Sequence, residues 1–308
     1  MRLAIASGKG GTGKTTVAVS LALSLATASP ASSPLFLDCD VEEPNAALFL
    51  RPEITAQRDV GVLVPEVDMA RCTACGRCAE VCEYHAITVI GKQVLVFPEL
   101  CHGCGSCTRQ CPENVIHETL NLMGMLEKGV ARTGTSEIEF FNGTLNVGEA
   151  MAVPVIRQLK GWAIPPDADE RPVILDAPPG ASCPVVETMR GADAVLLVTE
   201  PTPFGLHDLR VAVEVARDEL GLPVAVVVNR DGVGDDGVDT YCAAESLPIL
   251  LRIPLERAIA EGIANGEPLI AIRPEYRARF VALWEQLKGL GTGELGSGDW
   301  GCIRDFGL

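Results

Sequence analysis

Eight cysteines stand in two runs of identical spacing, and this spacing is the clearest chemical signal in the sequence. The runs are Cys72, Cys75, Cys78 and Cys82, and then Cys101, Cys104, Cys107 and Cys111. Every cysteine of the second run lies 29 residues after its counterpart, so the unit is an internal duplication. In a reducing compartment, thiols this closely spaced are more typical of metal ligands than of disulfides.

Thiolates at positions i, i+3 and i+6 can surround one iron–sulfur cube, whereas a fourth cysteine just beyond them is directed towards the other cube. The spacing therefore predicts two 4Fe-4S clusters with crossed ligands. Cluster I would bind Cys72, Cys75, Cys78 and Cys111, and cluster II would bind Cys101, Cys104, Cys107 and Cys82. Structural zinc is the alternative, but zinc sites seldom need two such triplets with two spaced partners.

Through these two runs, residues 66–118 resemble the bacterial two-cluster ferredoxins. Pro112 follows the last cysteine of the second run as in that family, whereas Glu83 stands at the equivalent place after the first run. The resemblance implies an α+β ferredoxin-like domain that carries electrons and is inserted into a larger chain.

A glycine-rich segment near the start, SGKGGTGKTT, has the composition of a phosphate-binding loop. It lies between an apolar segment, residues 3–6, and an apolar-periodic one, residues 17–28, which predicts a strand, a loop and a helix in that order. Backbone N–H groups of such a loop bind phosphate at the positive end of the helix. Lys14 would neutralise the β- and γ-phosphates of ATP, and Thr15 would offer its hydroxyl oxygen to Mg2+. The predicted nucleotide contacts here are Gly8, Lys9, Gly10, Gly11, Thr12, Gly13, Lys14, Thr15 and Thr16.

Lys9 adds a second lysine near the start of the loop, and with it the segment resembles the deviant Walker A motif. The family with this motif contains the cell-division ATPase MinD, the partition ATPase ParA, the nitrogenase iron protein and the Mrp-type iron–sulfur carriers. The resemblance implies hydrolysis of ATP to ADP. It also implies a nucleotide-dependent homodimer in which Lys9 reaches the nucleotide of the partner subunit and acts with Lys14 in catalysis. The alternative is that Lys9 is a solvated charge of the loop.

Two short apolar segments that predict buried strands end in carboxylates, within DCDVEEPN and DAPPG. By resemblance to the same family, Asp40 would orient the attacking water and Asp38 would assist around the metal ion. Asp176 would hold the Mg2+ shell, and Gly180 would respond to the γ-phosphate. Acidic residues at strand ends also occur as solvated turns, which is the alternative.

Residues 194–198 and 224–228 predict two further buried strands, with an amphipathic helix over residues 206–220 between them. Asn229, at the end of the second strand, resembles the family's adenine-contacting asparagine. The stretch 252–268 resembles the loop that closes over the base near Pro254. These elements predict an α/β fold, a P-loop NTPase with a mostly parallel sheet flanked by helices, interrupted by the ferredoxin-like domain.

The predicted domains are a discontinuous ATPase domain, residues 1–65 and 119–288, the insert, residues 66–118, and a flexible glycine-rich tail, residues 289–308. Residues 120–153 are mixed in character. They are interpreted as a glycine-rich turn region followed by strands of a hairpin or ribbon in IEFFNGTLNV.

The chain is acidic, with 25 Lys and Arg against 41 Asp and Glu and a formal charge of −16. This charge repels the nucleic-acid backbone and anionic lipid, so no direct nucleic-acid partner is expected. The amino terminus meets glycines too early for a signal peptide, and the apolar runs are too short to span a bilayer. Residues 280–290 carry one lysine and precede an acidic tail, so stable membrane binding is not expected. We expect a cytoplasmic protein.

Four cysteines lie outside the repeat: Cys39, Cys183, Cys242 and Cys302. Cys39 follows a predicted strand and is interpreted as a packing residue. Cys183 lies near Gly180, where the nitrogenase-reductase branch ligates a cluster between subunits, but that site needs two cysteines per subunit. Mrp-type carriers present a C-x-x-C pair near their carboxyl end, whereas Cys242 stands alone.

These motifs favour an ATP-driven switch coupled to electron transfer through two clusters, with a redox partner protein. The resemblance covers nearly the whole chain and points to MinD-type ATPases that contain an inserted ferredoxin domain. One alternative is an ATPase that carries or assembles iron–sulfur clusters. Another is a cell-division or positioning ATPase whose clusters are redox sensors or structural supports.

Overall fold

The computed structural model describes residues 1–134, 136–164 and 171–291. Its strands are β1 (Arg2–Ser7), β2 (Leu35–Asp38), β3 (Glu53–Val67), β4 (Ile87–Ile90), β5 (Gln93–Val96), β6 (Ile116–Thr133), β7 (Ser136–Leu145), β8 (Val173–Pro179), β9 (Ala194–Thr199), β10 (Val224–Asp231) and β11 (Ile249–Pro254). Its helices are α1 (Lys14–Ala28), α2 (Ala46–Leu50), α3 (Arg77–Glu80), α4 (Ser106–Arg109), α5 (Val153–Ala163), α6 (Cys183–Met189), α7 (Pro203–Val213), α8 (Gly237–Ala244), α9 (Arg257–Ala264), α10 (Leu269–Ile272) and α11 (Tyr276–Gly291). A π-helical turn, Glu214–Glu219, continues α7.

In the described part of the chain, nine strands form one sheet in the order β11-β10-β9-β1-β8-β2-β7-β6-β3. All of them run in the same direction except β6, which is antiparallel to both β7 and β3. The helices α1, α2, α9, α10 and α11 cover one face, and α5, α6, α7 and α8 cover the other. Because both faces are covered, central strands such as β1 and β9 are nearly continuous apolar runs. The predicted α/β fold with a mostly parallel sheet flanked by helices is confirmed.

The register of the central strands brings their carboxyl ends to one edge of the sheet. Asp176 on β8 pairs with Ile5 on β1 and with Asp38 on β2. The glycine-rich loop follows β1 directly, since α1 begins at Lys14. The predicted loop and the two predicted acidic strand ends therefore lie side by side, as expected for parallel strands.

The far edge of the sheet is an antiparallel ribbon of two long strands, β3 with 15 residues and β6 with 18. The prediction of a glycine-rich turn region after residue 120 is wrong here, because Gly124 and Gly129 lie within β6. A Cβ at Gly124 would overlap the carbonyl oxygen of Thr144 on β7. This glycine permits a close approach between strands instead of making a turn. The predicted hairpin strand in IEFFNGTLNV is confirmed as β7.

Residues 68–115, which hold the repeated cysteines, lie at the end of this ribbon. They contain the short helices α3 and α4 and the hairpin formed by β4 and β5. Cys78, Ile87 and Ile116 form a small core of their own. The predicted insert boundaries, residues 66 and 118, fall within the last residues of β3 and the first of β6, and the division into domains stays a prediction.

The carboxyl-terminal helix α11 extends to Gly291. The predicted tail therefore begins too early at residue 289, and residues 292–308 lie outside the described residues. Within the described ranges, no helix is both long enough and apolar enough to cross a membrane.

We expect Gly124→Ala to lower the free energy of unfolding by about 1 to 3 kcal/mol, because a methyl group added at a tight backbone approach pushes the strands apart. Gly161→Ala is the matched control, since Gly161 lies on α5 with open space around the position of a Cβ. Alanine favours a helix over glycine by up to about 1 kcal/mol, so the control should be neutral or stabilising. Urea denaturation at one pH measures both variants. Unchanged stability of Gly124→Ala would contradict the close approach of β6 and β7.

Candidate functional site

The glycine-rich loop between β1 and α1 presents its backbone at the positive end of a 15-residue helix. Gly13 has a φ of 90°, a left-handed conformation that glycine adopts readily. The loop is tied to neighbouring strands at both ends. Gly180 donates its N–H to the Ser7 carbonyl at 2.9 Å, and Asn229 donates its side-chain amide to the Thr12 carbonyl at 2.7 Å.

Lys14 is a buried cation among carboxylates. Its Nζ lies 3.1 Å from Oδ1 of Asp176 and 4.0 Å from Oδ2 of Asp40. Burial is the largest single influence on this group and opposes its charge, but the attraction of Asp176, Asp40 and Asp38 raises the pKa of Lys14. The ammonium group is therefore charged at neutral pH and available to a phosphate.

Asp176 has one carboxylate oxygen, Oδ2, that is buried without a hydrogen-bond partner. A buried acceptor left in this state costs free energy. Thr15 belongs to the same cluster, since its hydroxyl lies 3.5 Å from Nζ of Lys14. Mg2+ prefers oxygen ligands such as hydroxyls and carboxylates, so the residues present fit that ion.

Asp38 organises the loop that follows β2. Its carboxylate accepts hydrogen bonds from the backbone N–H groups of Asp40, Asn45 and Ala46 at 3.2, 3.0 and 2.9 Å. Burial, together with the charge of Asp176, raises the pKa of Asp38 to about 7. Burial also raises the pKa of Asp40 to about 6, against the opposing effect of Lys14. This loop therefore carries negative charge that a bound cation would stabilise.

The predicted nucleotide contacts surround one pocket at the carboxyl edge of the sheet. Those in its lining are Lys9, Gly10, Gly11, Thr12, Gly13, Lys14, Thr15, Thr16, Asp40, Asn229 and Pro254. Four others are not in the lining but bond or adjoin residues that are: Gly8, Asp38, Asp176 and Gly180. Gly8 packs against Asp208 on α7, where a Cβ would overlap the Asp208 backbone. The structure thus brings the predicted residues together, while their individual roles stay predictions.

The segment after β10 differs from its prediction. Residues 252–254 belong to β11 and residues 257–264 form α9, so the predicted loop over 252–268 is mostly regular structure. Ile259 and Ile263 on α9 line the pocket together with Leu48 on α2. Sequence analysis missed these apolar contacts, although the four-residue spacing on α9 is a helical signal that could have found the first two.

Lys9 forms an ion pair within its own chain. Its Nζ lies 3.1 Å from Oε2 of Glu200, and Arg230 approaches the other oxygen of the same carboxylate at 2.5 Å. Arg230 also donates to the Gly11 carbonyl at 3.1 Å. Glu200 was missed, although it directly follows β9 and is another acidic residue at the end of a buried strand.

Two cavities lie in the cysteine segment, and each is lined by four of the repeated cysteines. Cavity I is lined by Cys72, Cys75, Cys78 and Cys111. Cavity II is lined by Cys82, Cys101, Cys104 and Cys107. The fourth cysteine of each run therefore lines the cavity of the other run, in the distribution that the predicted crossed ligation requires.

The arrangement of these thiols bears on which metal group they fit. Within the described residues, no three His, Cys, Asp or Glu side chains converge closely enough to hold a single metal ion. A structural zinc ion needs four ligands about 2.0 to 2.3 Å from one point. Thiols spread around a cavity with walls such as Val89 and Val94 fit a larger cluster better. The residues present fit 4Fe-4S groups, and the ligand sets stay a prediction.

Cavity II adjoins the nucleotide-binding part of the chain. Cys101 belongs to the main core that also contains α5, whereas Cys78 of cavity I belongs to the small separate core. Tyr84 and His102 line cavity II, and their rings stack with centroids 3.7 Å apart. Burial lowers the pKa of His102, and the charge of Arg157 on α5 lowers it further. The charge of Arg157 thus acts on a residue that lines cavity II.

The three other cysteines in the described part of the chain lie outside both cavity linings. Cys39 is fully buried in the main core, which agrees with a packing role. Cys242 is buried on α8, and Cys183 is exposed at the start of α6. Cys302 lies outside the described residues.

We expect the metal-free and nucleotide-free protein to lose stability as the pH rises from about 4 to about 7. Asp38 and Asp40 have folded-state pKa values of about 7 and about 6, above the ordinary 3.8, so the native state binds more protons than the unfolded state across this range. Asp38→Asn should flatten the dependence, since the side chain then cannot ionise. Urea unfolding in EDTA at a series of pH values measures the slope. A slope of opposite sign between pH 5 and 7 would contradict the buried, charge-repelled state of these carboxyls.

The sequence is similar to those of known proteins along most of its length. A protein of Methanocaldococcus jannaschii described as uncharacterized is 28% identical over 276 residues, which cover 88% of this chain and 91% of that protein. An iron–sulfur cluster carrier protein of Synechocystis is 23% identical over 306 residues, covering 93% of this chain and 70% of that protein.

Among solved structures, the septum site-determining protein MinD of Pyrococcus horikoshii complexed with Mg-ADP is similar in fold. It has a TM-score of 0.54 and 19% identity, with 94% of this chain and 96% of that chain covered. The family described as the CobQ/CobB/MinD/ParA nucleotide binding domain matches residues 3–269. This match contains the glycine-rich loop, the acidic strand ends and the pocket between them, and the chain therefore belongs to the CobQ/CobB/MinD/ParA nucleotide-binding family.

Proposed function

We propose that this protein is a homodimeric ATPase that couples its nucleotide state to electron transfer through two 4Fe-4S clusters. The observation that carries the proposal is the distribution of the repeated cysteines. Each run contributes three thiols to one cavity and its fourth thiol to the other. This pattern belongs to two-cluster ferredoxins, and it occurs here in a chain with the nucleotide-binding pocket of its family.

The nucleotide part of the proposal rests on charge. Backbone N–H groups of residues 8–16 and the ammonium group of Lys14 would bind the phosphates of ATP or ADP. Thr15 and the unpartnered oxygen of Asp176 would hold Mg2+, with Asp38 assisting around the ion. The similar MinD structure from Pyrococcus horikoshii is complexed with Mg-ADP, which supports the same ligand here. Asn229 and Pro254 would contact the adenine.

Hydrolysis would use the groups at the mouth of the same pocket. Asp40 would orient the attacking water, since its carboxylate lies 4.0 Å from Nζ of Lys14, beyond hydrogen-bond distance. Gly180 would respond to the γ-phosphate through its bond to Ser7 at the base of the loop. Lys9 would leave Glu200 and reach the nucleotide of a second subunit, which makes the dimer dependent on nucleotide.

The cysteine part of the proposal rests on donor chemistry. When bound, a 4Fe-4S cluster takes up and releases single electrons, and the chain would hold each one with four thiolates. Cys78 and Cys101 are buried, at 9% and 8% exposure, which keeps water from one side of each cavity. Residues 66–118 would then form the inserted ferredoxin-like domain, and a redox partner protein in the cytoplasm would exchange electrons with it.

A second candidate function is that of an iron–sulfur cluster carrier, favoured by the similarity to the Synechocystis carrier protein. A carrier should pass a cluster to an apo-acceptor, whereas resident clusters should stay bound through cycles of reduction and oxidation. The burial of Cys78 and Cys101 favours resident clusters, whereas the exposure of Cys75 and Cys104 in the same cavities favours transfer. Incubation of the loaded protein with an apo-ferredoxin distinguishes the two functions.

We expect anaerobically reconstituted protein to contain about eight irons and eight sulfides per chain. Single Cys→Ser variants should then fall into two spectroscopic classes. Cys111→Ser should perturb the same electron paramagnetic resonance signal as Cys72→Ser, because both side chains line cavity I. Cys82→Ser should instead match Cys104→Ser, which changes cavity II.

Cys183→Ser is the control, since this exposed cysteine lies outside both cavity linings and should leave both signals unchanged. Zinc instead of iron would contradict the cluster assignment. Pairing of Cys111→Ser with Cys104→Ser would contradict the crossed sets.

We expect the cluster reduction potentials to differ between protein bound to Mg-ADP and protein bound to a non-hydrolysable Mg-ATP analogue. A coupling free energy of about 1 to 3 kcal/mol, typical of linked sites, corresponds to roughly 40 to 130 mV for one electron. Lys14→Ala should bind neither nucleotide and show one potential under both conditions. Spectroscopic titration under argon provides the measurement, and sedimentation tests the dimer. Identical potentials in the parent protein with both nucleotides would refute the coupling.

A further inference from the structure

Helix α5 lies between the two parts of the molecule that the proposed function couples. On one side it contacts α6, which begins at Cys183, three residues after Gly180. On the other side it contacts β3, the strand that leads to the cysteine segment. The same core contains Val155 and Leu159 of α5, Val185 of α6 and Val62 of β3.

Besides this apolar packing, two long side chains of α5 form polar contacts with α6. Arg157 donates from Nε and Nη2 to the two carboxylate oxygens of Glu187, at 3.3 and 3.2 Å. This fork geometry fixes direction as well as distance. Lys160 donates to the backbone carbonyls of Glu187, Thr188 and Arg190 at 2.6, 3.1 and 2.7 Å, at the carboxyl end of α6. Lys160 therefore binds the negative end of α6, while Arg157 binds a side chain of its last turn.

The contact between α5 and β3 is equally specific. Gln158, next to Arg157, donates its side-chain amide to the Gly61 carbonyl at 2.8 Å. The guanidinium group of Arg58 on β3 lies 4.4 Å from the ring centre of Trp162 on α5. Adjacent residues on one helix thus reach in opposite directions, towards α6 and towards the ribbon.

The same strand, β3, connects the contact with α5 to the wall of cavity II. Leu63, two residues beyond Gly61, lines cavity II. Gly103, between the ligand positions Cys101 and Cys104, lies so close to β3 that a Cβ there would stand 3.2 Å from the Leu63 carbonyl oxygen. A displacement of β3 near Gly61 would therefore move one wall of cavity II.

We propose that α5 transmits nucleotide-dependent displacement of α6 to cavity II, and that Arg157 and Gln158 are the positioning residues at its two contacts. This inference rests on the proposed function and names the route of its coupling. Packed helices shift as rigid units, so a helix bonded to both neighbours carries a movement from one to the other. Direct contact between α6 and the cysteine segment is then unnecessary.

The variants that test this route should stay folded. Arg157 is 64% exposed, and Arg190 remains 3.7 Å from the Glu187 carboxylate when Arg157 is removed. Gln158 is exposed and loses one hydrogen bond. Arg217→Ala is the matched control, since Arg217 also makes two ion-pair contacts, with Asp218 and Glu245, but lies near α8.

Hydrogen–deuterium exchange of the full, cluster-loaded protein supplies the readout. Backbone amides of residues 61–64 and 101–105 are compared between the Mg-ADP state and the state with a non-hydrolysable Mg-ATP analogue. The parent protein and Arg217→Ala should show a difference in exchange between these states. In Arg157→Ala and in Gln158→Ala the difference should fall by at least half, while the difference at residues 8–16 stays. Arg157→Lys should restore part of it through its charge.

A full difference in both Arg157→Ala and Gln158→Ala would overturn the route and leave the proposed function intact. A parent protein without any difference at these residues would overturn the proposed coupling itself, and the route with it. If Arg157→Ala does not fold, Glu187→Gln cuts the same contact from α6, and the same two outcomes apply.

Discussion

The buried ammonium group of Lys14 is the charge around which the nucleotide site is organised. Taking an ion out of water costs several kcal/mol unless partners replace its hydration. Here Asp176 and Asp40 supply those partners, and the parallel pairing of β1, β8 and β2 brings all three groups to one edge of the sheet. Burial raises the pKa of Asp38 and Asp40, and because the carboxylates outnumber the cation, their mutual repulsion raises both pKa values further. The site is therefore built to accept a further cation together with phosphate.

The ribbon of β3 and β6 attaches the cysteine segment to the sheet that carries the nucleotide site. A flexible linker would let the cysteine segment move independently of the sheet. Instead β6 pairs with β7 along its carboxyl-terminal half and with β3 along most of its length, so the segment is attached through two paired strands. Gly124 allows β6 and β7 to approach closely, because a larger side chain there would overlap Thr144. Residues 68–115 are thus joined mechanically to the same sheet that carries Lys14 and Asp176.

Local chemistry made part of this structure predictable. The loop after β1 has few solutions, because its glycines, its lysine and the following apolar helix each require the same geometry, and the distribution of the cysteines between the cavities agrees with their spacing alone. Sequence analysis failed where contacts across the fold decide the structure. Gly124 and Gly129 look like turn residues until β7 lies beside the first and β3 beside the second. Glu200 becomes significant only when the fold brings Lys9 and Arg230 to it. The motif resemblance predicts a loop over α9, although the spacing of its apolar residues is helical.

Within the proposed function, the two cavities have different tasks because their surroundings differ. Cavity II shares the main core with α5 and receives the field of Arg157, whereas cavity I is lined by the small core at the end of the ribbon. Within the proposed route, a change that starts at the nucleotide would therefore act on cavity II through α5 and β3. If both clusters are bound, they would exchange single electrons, and a change in cavity II would alter the potential of one member of the pair.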